Sequence, residues 1–203
     1  MEAFTSLTAI AIPFDQVNVD TDQIIPARFL RKQRSDPDYA SFLFNNARYN
    51  DDGSEKEDFI LNQEKYRHGQ IIIADENWGC GSSREAAVYA LLANGIRAVI
   101  APSFGDIHYN NGMKNGMLPV RLPTSDCNTL RKQIHKVPGS RVSINLLDQL
   151  VVGPEGTNYN FEIDPLHKHC MVNGLDDISL TLGYEDVLGA YEKKRQKEAP
   201  WLY

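Results

Sequence analysis

Residues 75–85 read Asp-Glu-Asn-Trp-Gly-Cys-Gly-Ser-Ser-Arg-Glu and follow the apolar run Ile71–Ala74. A helix-like segment, Arg84–Asn94, comes next. Backbone N–H groups at the start of a helix lack intrahelical partners, and the aligned peptide dipoles favour negative charge there. A buried strand, a glycine-rich turn and a helix that opens on two serines and an arginine therefore predict an anion-binding site.

Part of this turn also fits a purely structural interpretation. Ser82 and Glu85 have the spacing of a capping box, and on spacing alone helix capping is the more frequent explanation. The two glycines, the second hydroxyl and Arg84 are not needed for a cap, and a cation at a helix start opposes the dipole by a few tenths of a kcal/mol. Such an arginine is easier to explain if it binds a carboxylate through two hydrogen bonds.

Other kinds of site fit the sequence less well. A dinucleotide fingerprint is disfavoured because Arg84 stands where its third glycine belongs, and a phosphate-binding P-loop lacks its Gly-Lys-Ser/Thr. Cys80 has no histidine in its local motif, which indicates a small buried thiol rather than a nucleophile. The segment His167–Cys170 contains metal donors, but its spacing matches no zinc pattern, so solvated side chains are expected. His108 lies in a helical segment and is expected to be packed or capped rather than catalytic.

Outward from the turn, the pattern alternates between strands and helices. After helix Arg84–Asn94 come a strand, Ala98–Ala101, a second helix that begins near Ser103, and a strand, Met117–Val120. These strands are almost continuously apolar, as in a parallel sheet that is covered on both faces. The order strand–helix–strand–helix–strand predicts such a sheet with right-handed crossovers.

The flanking segments predict a strand before this unit and a second kind of sheet after it. A helix, Ser125–Val137, is followed by three short strands separated by turn residues, which favours antiparallel pairing. The predicted flanking strands are Leu7–Ile12, Arg141–Asn145, Gln149–Val152 and Tyr159–Ile163. We therefore expect an α/β fold in one domain, residues 1–203, with a parallel sheet plus a smaller, largely antiparallel sheet.

Two segments lie outside this regular pattern. Residues 31–58 form a long polar excursion around one short apolar helix candidate, Tyr39–Phe44, and are expected to be either a functional loop or a mobile one. Residues 176–203 predict a helical tail whose apolar side chains, including Val187 and Tyr191, lie on one side.

Composition excludes several classes of partner. The 203 residues carry a formal net charge of −6 without a basic surface cluster, which argues against nucleic acid. No segment approaches the roughly 18 apolar residues of a membrane span. No basic region precedes the short apolar run near the N-terminus, which argues against a signal peptide. The three cysteines are widely spaced, which favours reduced thiols in the cytoplasm over a disulfide framework.

Several motifs together carry a resemblance to a known family. They are Asp20–Leu30 (Asp-Thr-Asp-x-Ile-Ile-Pro-Ala-Arg-Phe-Leu), Asn77–Glu85, Ala101–Asn111 and the closing segment Gly174–Leu182. Over nearly its whole length the chain resembles the small subunit of 3-isopropylmalate dehydratase. It is also similar to the C-terminal swivelling domain of aconitase, a three-layer β/β/α fold, which agrees with the expected two-sheet arrangement.

The resemblance implies an activity and a division of labour. It implies a hydro-lyase that interconverts 2- and 3-isopropylmalate by dehydration and rehydration in leucine biosynthesis. This chain would bind no cofactor, and a separate large subunit would carry a [4Fe–4S] cluster. The enzyme would act on a small dicarboxylate only when the two subunits are together.

The resemblance also implies which residues perform the proton transfer. Ser82 would be the base, acting as an alkoxide, and Asp22 would orient a neighbouring group. A serine hydroxyl is a poor base unless its oxyanion is stabilised, and the helix start with the backbone at Gly79 and Gly81 would do so.

Substrate binding would fall to three further residues. Ser83 and Arg84 would hold a substrate carboxylate, and Arg31 lies in the loop with which the family reads the substrate's side group. The family commonly has histidine after Arg-Glu, whereas this chain has Ala86. A related hydratase for another short diacid, of the citraconate or dimethylmaleate type, and a non-catalytic diacid-binding module both stay open.

Overall fold

A curled sheet of seven strands forms the centre of the computed structural model, which describes residues 1–202. The strands are β1 (Ser6–Pro13), β2 (Ile71–Ile73), β3 (Ala98–Ala101), β4 (Leu118–Arg121), β5 (Arg141–Asn145), β6 (Leu150–Val152) and β7 (Asn158–Asn160). Their order across the sheet is β4-β3-β2-β1-β5-β6-β7.

Eight α-helices and four 3₁₀ turns connect and cover these strands within residues 1–202. The helices are α1 (Thr21–Ile24), α2 (Asn45–Arg48), α3 (Glu85–Ala93), α4 (Asp106–Asn115), α5 (Thr124–Lys136), α6 (Pro165–Asn173), α7 (Asp177–Leu182) and α8 (Glu185–Glu198). The 3₁₀ turns are Ala27–Phe29, Tyr39–Phe42, Ile60–Asn62 and Pro200–Leu202.

The sheet has a parallel half and an antiparallel half that share β1. Strands β1 to β4 are parallel to one another, while β5, β6 and β7 are each antiparallel to their neighbour. The eight residues of β1 are enough for both pairings, because residues 11–13 pair with β2 and residues 6–10 pair with β5. The expected α/β fold with parallel and antiparallel parts is confirmed, and the two parts are joined in one curled sheet through β1.

The central parallel strands are buried on both faces, as their apolar sequences predict. Every residue of Ile71–Ala74 and of Ala98–Ala101 is fully buried. Helix α5 packs against β1, β2 and β3, while α3 and α4 contact each other. This burial fixes the positions of the strand ends, and the loops that follow those ends carry the candidate site.

The polar excursion, residues 31–58, contains a packed middle part. Tyr39 and the segment Phe42–Phe44 are buried, and the predicted helix there is a 3₁₀ turn followed by α2. Phe44 interrupts the helical run because its backbone is left-handed, with φ of 49°. Buried Arg48 donates to the side chains of Asn62, at 3.1 Å, and Asn94, at 2.9 Å, and so ties this part to the body. Mobility of the remaining loop stays a prediction.

The C-terminal tail is helical, as predicted, but its apolar side is exposed. It consists of α7, α8 and the turn Pro200–Leu202. On α8, Val187 is 67% exposed and Tyr191 is 62% exposed. None of the helices within residues 1–202 combines the length and the apolar character that crossing a membrane requires.

Candidate active site

Three loops meet at the edge of the sheet where the parallel strands β1, β2 and β3 end. The loop after β1 pairs with the turn after β2 through a bridge between Asp20 and Cys80. That turn pairs in the same way with the segment after β3, through Trp78 and Phe104. Because parallel strands end at the same edge, residues far apart in sequence come together there.

The turn after β2 depends on a left-handed backbone at alternate residues. Asn77, Gly79 and Gly81 have φ of 62°, 70° and 88°. Glycine adopts this conformation at little cost, and at Gly79 a side chain would also collide with His108. The left-handed residues turn the chain sharply, and Ser82 and Ser83 that follow are exposed to solvent.

The two glycines expected to offer N–H groups to an oxyanion differ in this respect. The N–H of Gly79 donates to the carbonyl of Val19 at 2.7 Å, so it is already used inside the protein. The N–H of Gly81 has no acceptor within residues 1–202. Of the two, Gly81 is the one whose backbone can donate to an anion, and Gly79 shapes the turn.

The capping box that the spacing of Ser82 and Glu85 predicts does not form. Helix α3 begins at Glu85, and its N-cap residue, Arg84, has an extended backbone (φ −131°, ψ 97°) without a capping side chain. This extended residue keeps Ser82 outside the first helical turn. The carboxylate of Glu85 instead accepts a hydrogen bond from the side chain of Asn115 at 2.8 Å. The hydroxyl of Ser82 is therefore not used to cap the helix.

Helix α1 anchors the serine–arginine segment from the side of β1. Arg84 forms an ion pair with Asp22, and only 16% of its side chain is exposed. The hydroxyl of buried Thr21 donates to the carbonyl of Ser82 at 2.8 Å. The N-terminus of helix α1 has a capping box formed by Asp20 and Gln23. The backbone of Ser82 and the guanidinium of Arg84 are thus held by consecutive residues of one short helix.

The structure brings together four of the predicted site side chains. Asp22, Ser82, Ser83 and Arg84 lie at one edge, and neither serine hydroxyl has a hydrogen-bond partner in the described part of the chain. Arg31 is exposed and makes no hydrogen bond or ion pair to any residue from 1 to 202, so its place in the site stays a prediction.

Two further side chains near the turn behave as packed groups. Cys80 is half-buried, and burial raises the pKa of its thiol, which keeps it protonated near neutral pH. His108 is 2% exposed, and burial lowers the pKa of its imidazole to about 4. The prediction that His108 is packed is confirmed.

No cluster of donors suited to a metal ion is formed by the described residues. Within residues 1–202 there is no group of three or more His, Cys, Asp or Glu side chains that could hold one. Cys80, Cys127 and Cys170 are free thiols. Cys127 is fully buried, and burial raises its pKa to about 12.

Thr21 is a contributor to the site that sequence reasoning missed. It stands in the Asp-Thr-Asp motif, where local hydrogen bonding of the hydroxyl is the usual expectation. Its bond to Ser82 instead spans 61 positions of sequence. Only the occurrence of both motifs in one chain could have pointed to this contact.

Comparison with known proteins identifies the family. Residues 1–125 match the family described as "Aconitase C-terminal domain", and residues 177–203 match the family of the C-terminal domain of 3-isopropylmalate dehydratase small subunits. A protein of Paramagnetospirillum magneticum named 3-isopropylmalate dehydratase small subunit is 46% identical over 202 residues, which cover 100% of both chains. The chain belongs to the family of 3-isopropylmalate dehydratase small subunits.

Other members of this family agree in length and in fold. The small subunit named for Gluconacetobacter diazotrophicus is 49% identical over 201 residues, which cover 99% of this chain and 97% of that one. The crystal structure of a 3-isopropylmalate dehydratase from Methanocaldococcus jannaschii superposes with a TM-score of 0.65 at 28% identity. It covers 92% of this chain and 99% of that chain.

Proposed function

We propose that this chain is the small subunit of a heteromeric hydro-lyase that isomerises 2-isopropylmalate and 3-isopropylmalate by dehydration and rehydration, in the cytoplasm, for leucine biosynthesis. The full-length relatives that carry this name support the proposal. The observation that carries it is the pairing of Arg84 with Asp22 directly after two exposed serines. A module that only bound diacids would need the cation but not a free hydroxyl beside it.

The base we propose is Ser82. Dehydration removes a proton from a carbon next to a carboxylate, so negative charge develops where preorganised donors must stabilise it. The hydroxyl of Ser82 is exposed, while its carbonyl is held by Thr21. The free N–H of Gly81, the residue before Ser82, would favour the alkoxide form that a serine base needs.

Arg84 and Ser83 would bind the substrate carboxylate. The ion pair with Asp22 uses one terminal nitrogen of the guanidinium, and its other nitrogens have no partner among residues 1–202. A guanidinium can bind two carboxylates on different edges, because its five N–H donors are fixed in a plane. Asp22 would orient the arginine, and the substrate would take the remaining donors.

The cluster that the family implies does not fit this chain. The three thiols Cys80, Cys127 and Cys170 are each free, and no group of metal donors is formed within residues 1–202. We therefore assign the [4Fe–4S] cluster to the large subunit, where it would supply a Lewis acid for the substrate hydroxyl. This chain would contribute the base and the carboxylate site to a shared active site.

Ala86 and Arg31 bear on how the site would read the substrate's side group. Ala86 is partly buried and packs against the core, so it offers no donor to a ligand. Arg31, in the exposed loop after α1, is our candidate for reading this group. The full-length relatives favour isopropylmalate over the shorter diacids.

The test is reconstitution with the large subunit encoded in the same genome. The purified complex, with its cluster rebuilt under anaerobic conditions, is given malates that carry no substituent, a methyl group or an isopropyl group. We expect the highest kcat/KM with the isopropyl compound, and no turnover by this chain alone. A preference for methyl-substituted malate would move the assignment to a related hydratase, and turnover by the isolated chain would contradict the division of labour.

A further inference from the structure

The ring of His108 is packed directly against Gly79 in the turn that leads to Ser82. A Cβ atom built on Gly79 would lie 2.3 Å from both Cγ and Cδ2 of His108, and 2.7 Å from its Cβ. Real contacts to a Cβ are never this short, so the ring occupies the space that a side chain at residue 79 would need. This contact joins helix α4 to the turn across 29 positions of sequence.

The imidazole is not held there by hydrogen bonds. His108 is 2% exposed, and both ring nitrogens are buried without a hydrogen-bond partner in residues 1–202. Buried polar atoms without partners are costly, so an apolar ring of similar size would be more stable in this place. The ring of His108 therefore contributes to the structure by its packing and not by hydrogen bonds.

Backbone segments on both sides of Gly79 also restrict the turn. The N–H of Gly79 donates to Val19, and the N–H of Gly105 donates to Trp78 at 2.9 Å. A Cβ on Gly105 would lie 2.5 Å from the carbonyl oxygen of Gly79. The first turn of α4 and the loop after β1 therefore leave the turn little freedom, and the ring of His108 fills what remains.

We propose that His108 is a positioning residue: its ring, packed on Gly79, fixes the backbone of the turn from which Ser82 reaches the substrate. This inference rests on the function proposed above. Arg84 has its own anchor in Asp22, whereas the upstream end of the turn relies on the packing around Gly79. Loss of the ring should therefore affect proton transfer more than carboxylate binding.

The first experiment compares three variants in the reconstituted complex. His108→Ala removes the ring, His108→Phe keeps an apolar ring, and Met113→Ala removes a buried side chain elsewhere on α4. We expect His108→Ala to lower kcat about tenfold or more while KM changes less, because small displacements of a reacting group are costly. His108→Phe should stay within about threefold of the wild type, as should Met113→Ala.

A double substitution tests the contact itself. Gly79→Ala should be strongly impaired, because the added methyl group meets the ring of His108 and φ is positive. Adding His108→Ala removes the steric part, so the double variant should be more active than Gly79→Ala alone. A double variant that is worse by the product of the two single effects would contradict the packing relation.

A second readout does not depend on activity. The N–H groups of Gly79 and Thr21 donate to the carbonyls of Val19 and Cys80 and hold the turn in place. Hydrogen–deuterium exchange of these two amides in the isolated chain should be faster in His108→Ala and stay near the wild-type rate in His108→Phe and Met113→Ala. Unchanged exchange in His108→Ala, or equal loss of kcat in His108→Phe and His108→Ala, would overturn the inference. If Ser82→Ala kept full activity while His108→Ala exchanged faster, the proposed function would fail and the positioning of the turn would stand.

Discussion

The two halves of the sheet share β1 but differ in what their connections do. In the parallel half, the segments after β1, β2 and β3 meet at one edge and bond to one another. In the antiparallel half, the turn after β5 is closed by its own groups: the side chain of Asn145 accepts from the N–H of Leu147 and of Asp148. The parallel half therefore brings distant groups together and leaves hydroxyls free. The hairpin turn after β5 uses its polar side chain on its own backbone, and Lys168 of α6 also donates to the carbonyl of Leu147 at 2.7 Å.

This difference teaches where a site can form on such a fold. Parallel strands need long crossover connections, and these connections all begin at the same edge. Short hairpin turns use their polar groups within the turn. We expect substitutions of the residues that meet at this edge to change catalysis, and substitutions in the antiparallel half to change only stability.

Acid is expected to have the largest effect on the free energy of unfolding, through His108. Its pKa is about 4 in the fold against 6.5 when unfolded, so the unfolded chain binds the proton more readily. The free energy of unfolding is therefore undiminished by this group above pH 6.5. It falls as the pH is lowered toward 4, by on the order of 3 kcal/mol. Denaturant unfolding of the isolated wild type should show this slope, and His108→Phe should lack it. Parallel pH curves for the two proteins would be inconsistent with a buried neutral imidazole.

Arg84→Lys should have the next largest effect. A lysine can pair with Asp22 or with the substrate but lacks the planar set of donors for both. The loss of about 2 kcal/mol of binding should lower kcat/KM roughly 30-fold, mainly by raising KM. Steady-state kinetics of the complex would measure this. The matched control is Arg67→Lys, whose pair with Glu55 lies on the surface, and it should be nearly silent. Equal kinetics for Arg84→Lys and wild type would remove the carboxylate site from Arg84.

Thr21→Val removes the hydrogen bond to the carbonyl of Ser82 and keeps the shape of the side chain. Loss of this anchor should cost about 1 kcal/mol, or roughly fivefold in kcat. Thr8→Val is a matched control, because the hydroxyl of Thr8 contacts Ser143 at 2.8 Å between β1 and β5. If Thr8→Val impaired kcat as much as Thr21→Val, the contrast between the two halves would be lost.

Val151→Ala should have the smallest effect on catalysis. Val151 is fully buried in β6, so its truncation should lower the free energy of unfolding by about 1–3 kcal/mol. The kcat/KM of the folded complex should stay within about twofold of the wild type, since no candidate site residue lies in that half. Differential scanning calorimetry and kinetics of the same preparation would measure both.

The sequence predicted the strands of the sheet better than the details of the site. Apolar runs such as Ile71–Ala74 identify buried parallel strands because both faces are covered, and the structure confirms them. The spacing of Ser82 and Glu85 led to a capping box that does not form, because the extended backbone of Arg84 separates the serine from the helix. A local spacing rule carries no information about that dihedral angle.

The contacts that organise the site were beyond local patterns. Thr21 reaches Ser82, Asp22 pairs with Arg84, and His108 packs on Gly79, each across tens of residues. Motifs could indicate that these residues matter, but only the meeting of strand ends at one edge determines which of them touch. The apolar side of α8 is the reverse case, since its pattern predicted the helix and not the exposure that the structure gives it.

The most direct test of the account is the kinetics of Ser82→Ala in the reconstituted complex, with Ser83→Ala measured beside it. Removal of the base should lower kcat by about 10²–10⁴-fold. The dissociation constant of the substrate should stay within about threefold of the wild-type value. Ser83→Ala should instead weaken binding and retain most of kcat. Full turnover by Ser82→Ala, with the cluster content and assembly of the wild type, would contradict the claim that this turn supplies half of the active site.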